Sequence, residues 1–147
     1  MTDDKTPHTR RRPYYHYEKI IAHLQMIQKV LDRFAACSFA VKGFSLVFML
    51  VGLVTLVEIA EDPLFLLAVE IPVLMMWWLD GFYLRQERLF RKLYDSVREG
   101  ANTDYNMATG EYMDDLTCKL GSAMGSATLM MFYGAQVLCL TIVALCV

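Results

Sequence analysis

One acidic side chain falls where a charge is costly. Glu70 lies inside the apolar run from Pro63 to Leu79, two positions before Pro72. A carboxylate inside a membrane-spanning helix is expensive, and it usually faces a bundle interior or a water-filled path. Pro72 frees a backbone carbonyl one turn earlier and favours a local kink. Glu70 and Pro72 are therefore candidates for a pore-lining or gating site. The alternative is that Glu70 reaches the outer interface and only anchors the helix.

A second group of charged residues follows the same apolar run. Asp80, Glu87, Arg88 and Arg91 fall one to three turns apart in the stretch from Trp77 to Tyr94, "WWLDGFYLRQERLFRKLY". If such residues pair between helices and are partly buried, they form the two-state element that a gate needs. Exposed pairs would contribute little. These four residues are the second set of gating candidates.

Patterns of catalytic or metal-binding residues are lacking in the sequence. Ser38 and Ser45 have no nearby histidine to activate a nucleophile, and there is no Gly-rich phosphate loop and no HExxH motif. The four cysteines match no metal-ligand spacing. His16 and His23 are seven residues apart and share a helix face, which we interpret as a plain polar face. We expect no enzyme activity, no metal and no cofactor.

The composition points to a membrane protein. The chain has 147 residues, of which 56% are apolar, and its formal net charge is -2. An ordinary soluble domain has roughly 45–50% apolar residues, and a bilayer span takes about 20. Three apolar runs fit this length, and we predict an all-α membrane protein with three transmembrane helices. The predicted spans are residues 36–60, 64–82 and 123–147.

The charges between the spans predict their orientation. Lys and Arg residues precede the first span and follow the second, whereas the turn between them, "EIAEDP", has none. Because basic segments stay in the cytoplasm, we expect a cytoplasmic N-terminus and a C-terminus on the outer side. The remaining predicted segments are a flexible basic tail (1–12), a cytoplasmic amphipathic helix (13–35), an outer turn (61–63), a cytoplasmic extension of the second span (83–100), a connector (101–110) and an amphipathic helix (111–122).

Two patterns predict helix packing. The first helix carries apolar residues at 4-3-4 spacing, the pattern of a coiled-coil seam. This seam packs within the chain, against the extension of the second span, or between chains. Gly121 and Gly125 have GxxxG spacing, which lets helices approach closely in membranes, although the sequence does not say which helix is the partner. The seam residues are Ile20, Leu24, Ile27 and Leu31.

Two stretches resemble a known family. "HLQMIQKVLDRFAACSFAVKG", from His23 to Gly43, and "WWLDGFYLRQERLFRKLYDSV", from Trp77 to Val97, are similar to the small bacterial SLATT-type membrane effectors. Those proteins occur in anti-phage systems beside nucleotide-signalling or nucleotide-binding proteins. The resemblance covers about half the chain and is most specific from Leu79 to Tyr94. It marks helix-junction residues, namely Asp80, Tyr83, Gln86, Glu87, Arg88 and Arg91.

The resemblance implies a homo-oligomeric pore or channel in the bacterial inner membrane. Such an effector disrupts the membrane potential when a cytoplasmic sensor protein or an anionic nucleotide triggers it. Arg10, Arg11 and Arg12 are the candidate docking point for an anionic ligand, or else a topology signal and lipid contact. The alternative function is a non-conducting membrane anchor or regulatory subunit that recruits a cytoplasmic partner through the same helices.

Overall fold

The computed structural model describes residues 12–59, 63–100 and 105–146. Every regular element in those ranges is a helix, which confirms the predicted all-α class. The four α-helices are α1 (Arg12–Ile59), α2 (Pro63–Arg98), α3 (Leu120–Met124) and α4 (Ala127–Cys146). Two single 3₁₀ turns, Gly110–Tyr112 and Leu116–Cys118, lie between α2 and α3.

The first two helices, α1 and α2, are long and uninterrupted. The predicted cytoplasmic helix and first span form the single helix α1, whose 48 residues extend about 72 Å at a rise of ~1.5 Å per residue. α2 has 36 residues and continues through Pro72. Both helices are longer than the ~30 Å hydrocarbon core of a bilayer. In each helix an apolar part is joined to a stretch rich in charged residues, which we call its polar arm.

α1 and α2 run antiparallel and contact each other along both parts. Phe34 packs beside Phe90 in the polar arms, with ring centroids 5.6 Å apart. Ser38 bonds Asp80 further along, so a higher number on α1 meets a lower number on α2. α4 packs against the apolar parts of both helices. Two buried clusters result: Ile27, Leu93 and Val97 in the arms, and Val73, Leu129, Tyr133 and Leu140 in the apolar part.

The predicted seam on α1 packs within the chain. Ile27 is completely buried against α2, and Ile20, Leu24 and Leu31 surround it as partly buried neighbours. The structure therefore shows the first of the two alternatives, an intrachain helix pair. Whether the same residues also contact another copy stays a prediction.

Glycine residues permit two close approaches. A side chain at Gly52 would collide with Val69 of α2, and a Cβ at Gly81 would lie 2.6 Å from Cγ of Met124. The predicted GxxxG pair behaves differently. A Cβ at Gly121 meets nothing, and one at Gly125 meets only the Gly121 carbonyl at 3.2 Å. Within the described residues, the GxxxG spacing thus forms no helix contact, because α3 ends at Met124 and the two glycines do not share one helix.

The segment between α2 and α4 also differs from its prediction. We call residues 105–126 the connector segment. Instead of an amphipathic helix over 111–122, it forms the two 3₁₀ turns and the five residues of α3. The Asp115 carboxylate accepts hydrogen bonds from the Thr117 amide at 2.8 Å and from the Thr117 hydroxyl at 2.7 Å. Such local bonds compete with helix formation, so the chain turns here.

Among the residues that the structure describes, two helices are long and apolar enough to cross a membrane. They are residues 17–55 within α1 and residues 127–145 within α4. The predicted span 64–82 within α2 is not among them, and the count of three spans stays a prediction.

Candidate functional site

A buried ion pair joins α1 to α2. Nζ of Lys42 lies 2.6 Å from Oδ2 of Asp80, and the Asp80 side chain is fully buried while that of Lys42 is 25% exposed. Removing one partner from a buried pair is strongly destabilising, because it leaves an uncompensated charge. The pair therefore holds the two long helices in one register.

Two hydroxyl groups complete the shell around Asp80. Ser38 donates a hydrogen bond to Oδ1 of Asp80 and accepts one from Nζ of Lys42 at 2.7 Å. Tyr133 of α4 donates its phenolic hydrogen to Oδ2 at 3.2 Å. We call Ser38, Lys42, Asp80 and Tyr133 the Asp80 cluster. It is a fully connected polar group to which α1, α2 and α4 all contribute.

A second polar layer lies beside the Asp80 cluster. The Ser45 hydroxyl donates to the Lys42 carbonyl at 2.8 Å, and Nε2 of Gln136 donates to the Ser45 hydroxyl at 3.2 Å. Gln136 is 4% exposed, yet its carbonyl oxygen Oε1 has no hydrogen-bond partner among the described residues. The layer thus leaves one buried acceptor unsatisfied, which buried polar groups rarely are.

Glu70 forms a third polar layer nearer the other end of the helices. It accepts a hydrogen bond from the Thr141 hydroxyl at 3.0 Å, and no ion pair to it is found in the described ranges. Val73 and Leu140, both completely buried, separate it from the other layers. Glu70 precedes Asp80 by ten residues on α2, about 15 Å of helix. Pro72, beside it, leaves α2 unbroken.

The Asp80 cluster lies where the apolar parts of the helices meet the polar arms. Lys42 precedes the end of α1 at Ile59 by 17 residues, and Asp80 follows the start of α2 at Pro63 by the same number. Both are therefore about 26 Å from the far helix ends. In an antiparallel hairpin, equal distances from the turn bring two residues side by side, and this is the reason why the two charges meet.

The other predicted gating residues serve different contacts. Glu87 pairs with Arg91 one turn along the same helix, at 2.6 Å, and not with another helix. Arg88 donates to the Thr117 carbonyl at 2.8 Å and to the Ser122 hydroxyl at 3.3 Å. These two residues belong to the connector segment, so the arginine holds that segment against α2.

Three further donors on α2 hold the connector segment in the same way. Nε of Arg85 donates to the Cys118 carbonyl at 3.0 Å, and the Trp77 indole donates to the Met124 carbonyl at 3.2 Å. Lys92 pairs with Asp115. Backbone carbonyls that would be bonded inside a longer helix are satisfied here by side chains of α2.

The polar arms contain a cleft and a buried histidine. His23, which we interpreted as part of a polar face, is 1% exposed and lies beside the Tyr105 ring, with centroids 5.8 Å apart. Neither His23 ring nitrogen has a hydrogen-bond partner in the described ranges. His23 was misassigned because Tyr105, which is distant in sequence, packs against it. The side chain of His16 lies outside the described residues. A cleft of about 400 Å³ lies nearby, lined by Gln28, Leu31, Asp32, Arg91, Tyr94 and Asp95.

The predicted docking point for an anionic ligand has no described side chain. Arg10 and Arg11 lie outside the described residues, as does the side chain of Arg12. Among the residues that the structure describes, no group of three His, Cys, Asp or Glu side chains could hold a metal ion.

The sequence contains a signal for the Asp80 cluster. Neither residue type nor motif assigns a role to Lys42, and Ser38 and Ser45 are serines without a nearby histidine. The equal distances of Lys42 and Asp80 from the acidic turn would have suggested their pairing. For Gln136, the one signal is an amide side chain in an otherwise apolar, uncharged run.

Comparisons with protein-family models, with curated proteins and with solved structures gave no match to this chain. The similarity to SLATT-type effectors therefore stays a resemblance in sequence.

Proposed function

We propose that this protein is an integral membrane protein of the bacterial inner membrane with three spans, which lie in α1 (residues 36–59), in α2 (residues 64–82) and in α4 (residues 127–146, and not from 123 as predicted, because the chain turns at 125–126). The apolar surface of its helices supports this. In the most apolar 18-residue window of α1 only 17% of residues are buried, and in that of α4 only 22%. The core helix of a soluble protein would be mostly buried. Phe39 and Leu145, for example, are 80% and 82% exposed.

A soluble monomer rarely exposes contiguous apolar patches larger than a few hundred Å², whereas lipid covers such a surface without cost. The second span contains Glu70 and ends near Asp80. In the proposed arrangement, both carboxylates lie inside the helix bundle. Glu70 accepts a hydrogen bond from Thr141, and Asp80 is satisfied by the other members of its cluster. A tag at each terminus, tested for protease access in intact cells, checks the orientation. A protected C-terminus contradicts an outward third span.

We further propose that the protein forms an oligomeric pore or channel, gated through its cytoplasmic arms. The observation that carries this proposal is the Asp80 cluster, a buried ion pair at the point where the arms leave the spans. A switch needs an element with two discrete arrangements, and a buried pair that is costly to break supplies a closed state. α1 and α2 are continuous through this point, so a movement of the arms reaches the spans as a rigid displacement.

More than one copy is needed for conduction. The space between the three helices is filled by Val73, Leu129, Tyr133 and Leu140, all buried. A path for ions is therefore expected between copies and not within one, which agrees with the homo-oligomer that the resemblance implies.

The proposed trigger is a protein that binds the cytoplasmic arms. The cleft there has two carboxylates, Asp32 and Asp95, and one guanidinium, that of Arg91. Arg91 pairs with Glu87 and Asp95 pairs with Arg98, which leaves Asp32 as the charged lining residue without an ion pair among the described residues. This balance favours a basic protein surface over an anionic nucleotide. A nucleotide would instead require the arginines at positions 10–12.

Ion flux from vesicles tests the proposed function. Purified protein in liposomes, and cells carrying a membrane-potential dye, should show flux and depolarisation. Asp80→Asn should increase both, because it removes the charge that holds Lys42 while preserving the shape of the side chain and one oxygen acceptor. Arg91→Met, which breaks an exposed pair on the same helix, is the matched control and should behave as the wild type. A protein that inserts in membranes but passes no ions in any variant contradicts the pore.

The second candidate function is a non-conducting anchor or regulatory subunit. The cleft between the arms favours it, because a docking site for a partner needs no pore. In that case, the partner should bind to the wild-type protein, and substitutions at Asp32 and Asp95 should weaken this binding, while the membrane potential stays unchanged throughout.

A further inference from the structure

Two arginines of α2 lack the carboxylate partner that the other basic residues of this helix have. Arg91, Lys92 and Arg98 are each paired with a carboxylate. No ion pair to Arg85 or Arg88 is found in the described ranges, and both donate to uncharged groups of the connector segment instead. A neutral acceptor fixes a guanidinium group without cancelling its charge, so two positive charges stay uncompensated here.

The two guanidinium groups lie side by side. Arg85 and Arg88 are three residues apart, a spacing that makes them neighbours on one face of the helix. The carbonyls that they bond belong to the consecutive residues Cys118 and Thr117. Like charges that are neighbours on a helix repel each other, and an anion bound between the two arginines would relieve this repulsion.

The two arginines also present donors that no described residue uses. A guanidinium group has five N–H groups in a rigid fork that matches the oxygens of a phosphate. Arg85 donates only through Nε, which lies 3.0 Å from the Cys118 carbonyl oxygen, and Arg88 donates only through Nη1. Because these bonds already hold each fork in place, less side-chain freedom is lost when an anion binds.

Carboxylates that are close in sequence do not compensate these charges. Glu87 and Asp115 are paired with other basic residues. Glu111 and Asp114 of the connector segment are exposed, and neither forms an ion pair within the described residues. The described part of the chain therefore supplies no anion for the two arginines.

The position of the two arginines along α2 indicates the source of the anion. Arg85 and Arg88 follow the proposed end of the second span, at residue 82, by three and six residues, which is about 4.5 and 9 Å of helix. The polar headgroup region is about 5–8 Å thick on each side of the hydrocarbon core. Arginine side chains near the end of a span extend towards this region, so the proposed insertion brings both guanidinium groups to the depth of the lipid phosphates.

We propose that Arg85 and Arg88 together bind the phosphate of an anionic phospholipid from the cytoplasmic leaflet. The unused N–H groups donate to the phosphate oxygens, and the negative charge compensates the two guanidinium groups. A zwitterionic lipid has the same phosphate but also a cation, which the arginines repel. This inference rests on the proposed membrane insertion and adds a lipid ligand to the proposed function.

Quenching of tryptophan fluorescence by brominated lipids measures this binding. The chain has only two tryptophans, Trp77 and Trp78, which precede Arg85 by about two turns of α2. In vesicles that contain the full-length protein, brominated phosphatidylglycerol should bind more tightly than brominated phosphatidylcholine. From the attraction of one or two basic residues to an anionic lipid, we expect a relative binding constant of roughly fivefold to thirtyfold. Equal binding of the two lipids overturns the proposal.

Two double variants separate this site from a general effect of charge. Arg85→Gln with Arg88→Gln removes both charges but retains an N–H donor for the connector carbonyls, and it should abolish the preference for phosphatidylglycerol. Arg91→Gln with Arg98→Gln removes two charges from the same helix, but these arginines are already paired with carboxylates. This control should retain the preference of the wild type. An equal loss in both double variants overturns the site.

A soluble phosphate is the other source of the same chemistry. Glycerol phosphate carries the phosphate of the lipid headgroup without acyl chains, and an excess of it should not reverse the quenching by brominated phosphatidylglycerol. Displacement of the lipid by glycerol phosphate would overturn the lipid as the ligand.

Failure of this site is distinguishable from failure of the proposed function. A protein that inserts in vesicles and conducts ions, but binds both lipids equally, overturns the lipid site alone. A protein that stays in the aqueous fraction overturns the membrane insertion and the lipid site together. The comparison of the two lipids uses the wild type, so it tests the proposal even if the first double variant does not fold.

Discussion

Replacing Lys42 by methionine should destabilise the protein more than replacing Asp80 by asparagine, although both substitutions break the same ion pair. The reason is the different burial of the two partners. The Asp80 side chain is fully buried, and that of Lys42 is 25% exposed. Without Lys42, the Asp80 carboxylate stays buried with the Ser38 and Tyr133 hydroxyls as its remaining donors.

The magnitudes follow from the cost of a buried unpaired charge. Removing one partner of a buried pair costs about 3–5 kcal/mol, and we expect this cost for Lys42→Met. For Asp80→Asn we expect roughly 1–2 kcal/mol, because the lysine stem is long enough to move its ammonium group to the interface. The asparagine also preserves a polar partner for both hydroxyls.

The double variant isolates the coupling between the two charges. With Lys42→Met and Asp80→Asn together, no charge stays buried, so the double variant should be more stable than Lys42→Met alone. Unfolding of each variant in detergent, followed by circular dichroism, gives the four free energies of a double-mutant cycle. Equal losses from the two single substitutions, or losses that add in the double variant, would refute the reasoning.

Three further substitutions and one control test the helix contacts. Gly52→Ala should separate α1 from α2 at Val69 and cost about 1–3 kcal/mol, measured by thermal unfolding. Ile27→Ala should cost about 2–5 kcal/mol by leaving a cavity in the arms. Met26→Ala, at an exposed neighbouring position, should change stability by less than about 0.5 kcal/mol. Arg88→Leu should speed hydrogen exchange throughout the connector segment, because the Thr117 carbonyl and the Ser122 hydroxyl lose the donor that holds them to α2. An unchanged exchange rate would contradict the contacts assigned to Arg88.

The helices themselves were readable from the sequence. Apolar runs and the 3-4 spacing of Ile20, Leu24, Ile27 and Leu31 predict helices and the buried face of the first one, because helical periodicity is a local property of the chain. The connector segment was less predictable. Its side-chain bond from Asp115 is local, but the donors that hold it are on α2, so its departure from a helix depends on a distant part of the chain.

The individual roles of the candidate residues required the structure. Asp80, Glu87, Arg88 and Arg91 look alike in sequence, since all are charged residues on one helical stretch. In three dimensions one is buried in an ion pair with α1, two pair with each other, and one holds the connector segment. Sequence spacing gives the face of a helix but not the neighbour that the face meets.

By itself, the sequence determined the all-helical class, the apolar and polar parts of each helix and the segregation of charge, because these depend on residue type and on distance along the chain. Only the tertiary structure decided that Lys42 meets Asp80, that Gly52 and Gly81 permit close helix contacts, and that Gln136 has an unsatisfied oxygen. These features depend on which helices pack together and in which register, and a register is fixed by contacts between residues far apart in the chain.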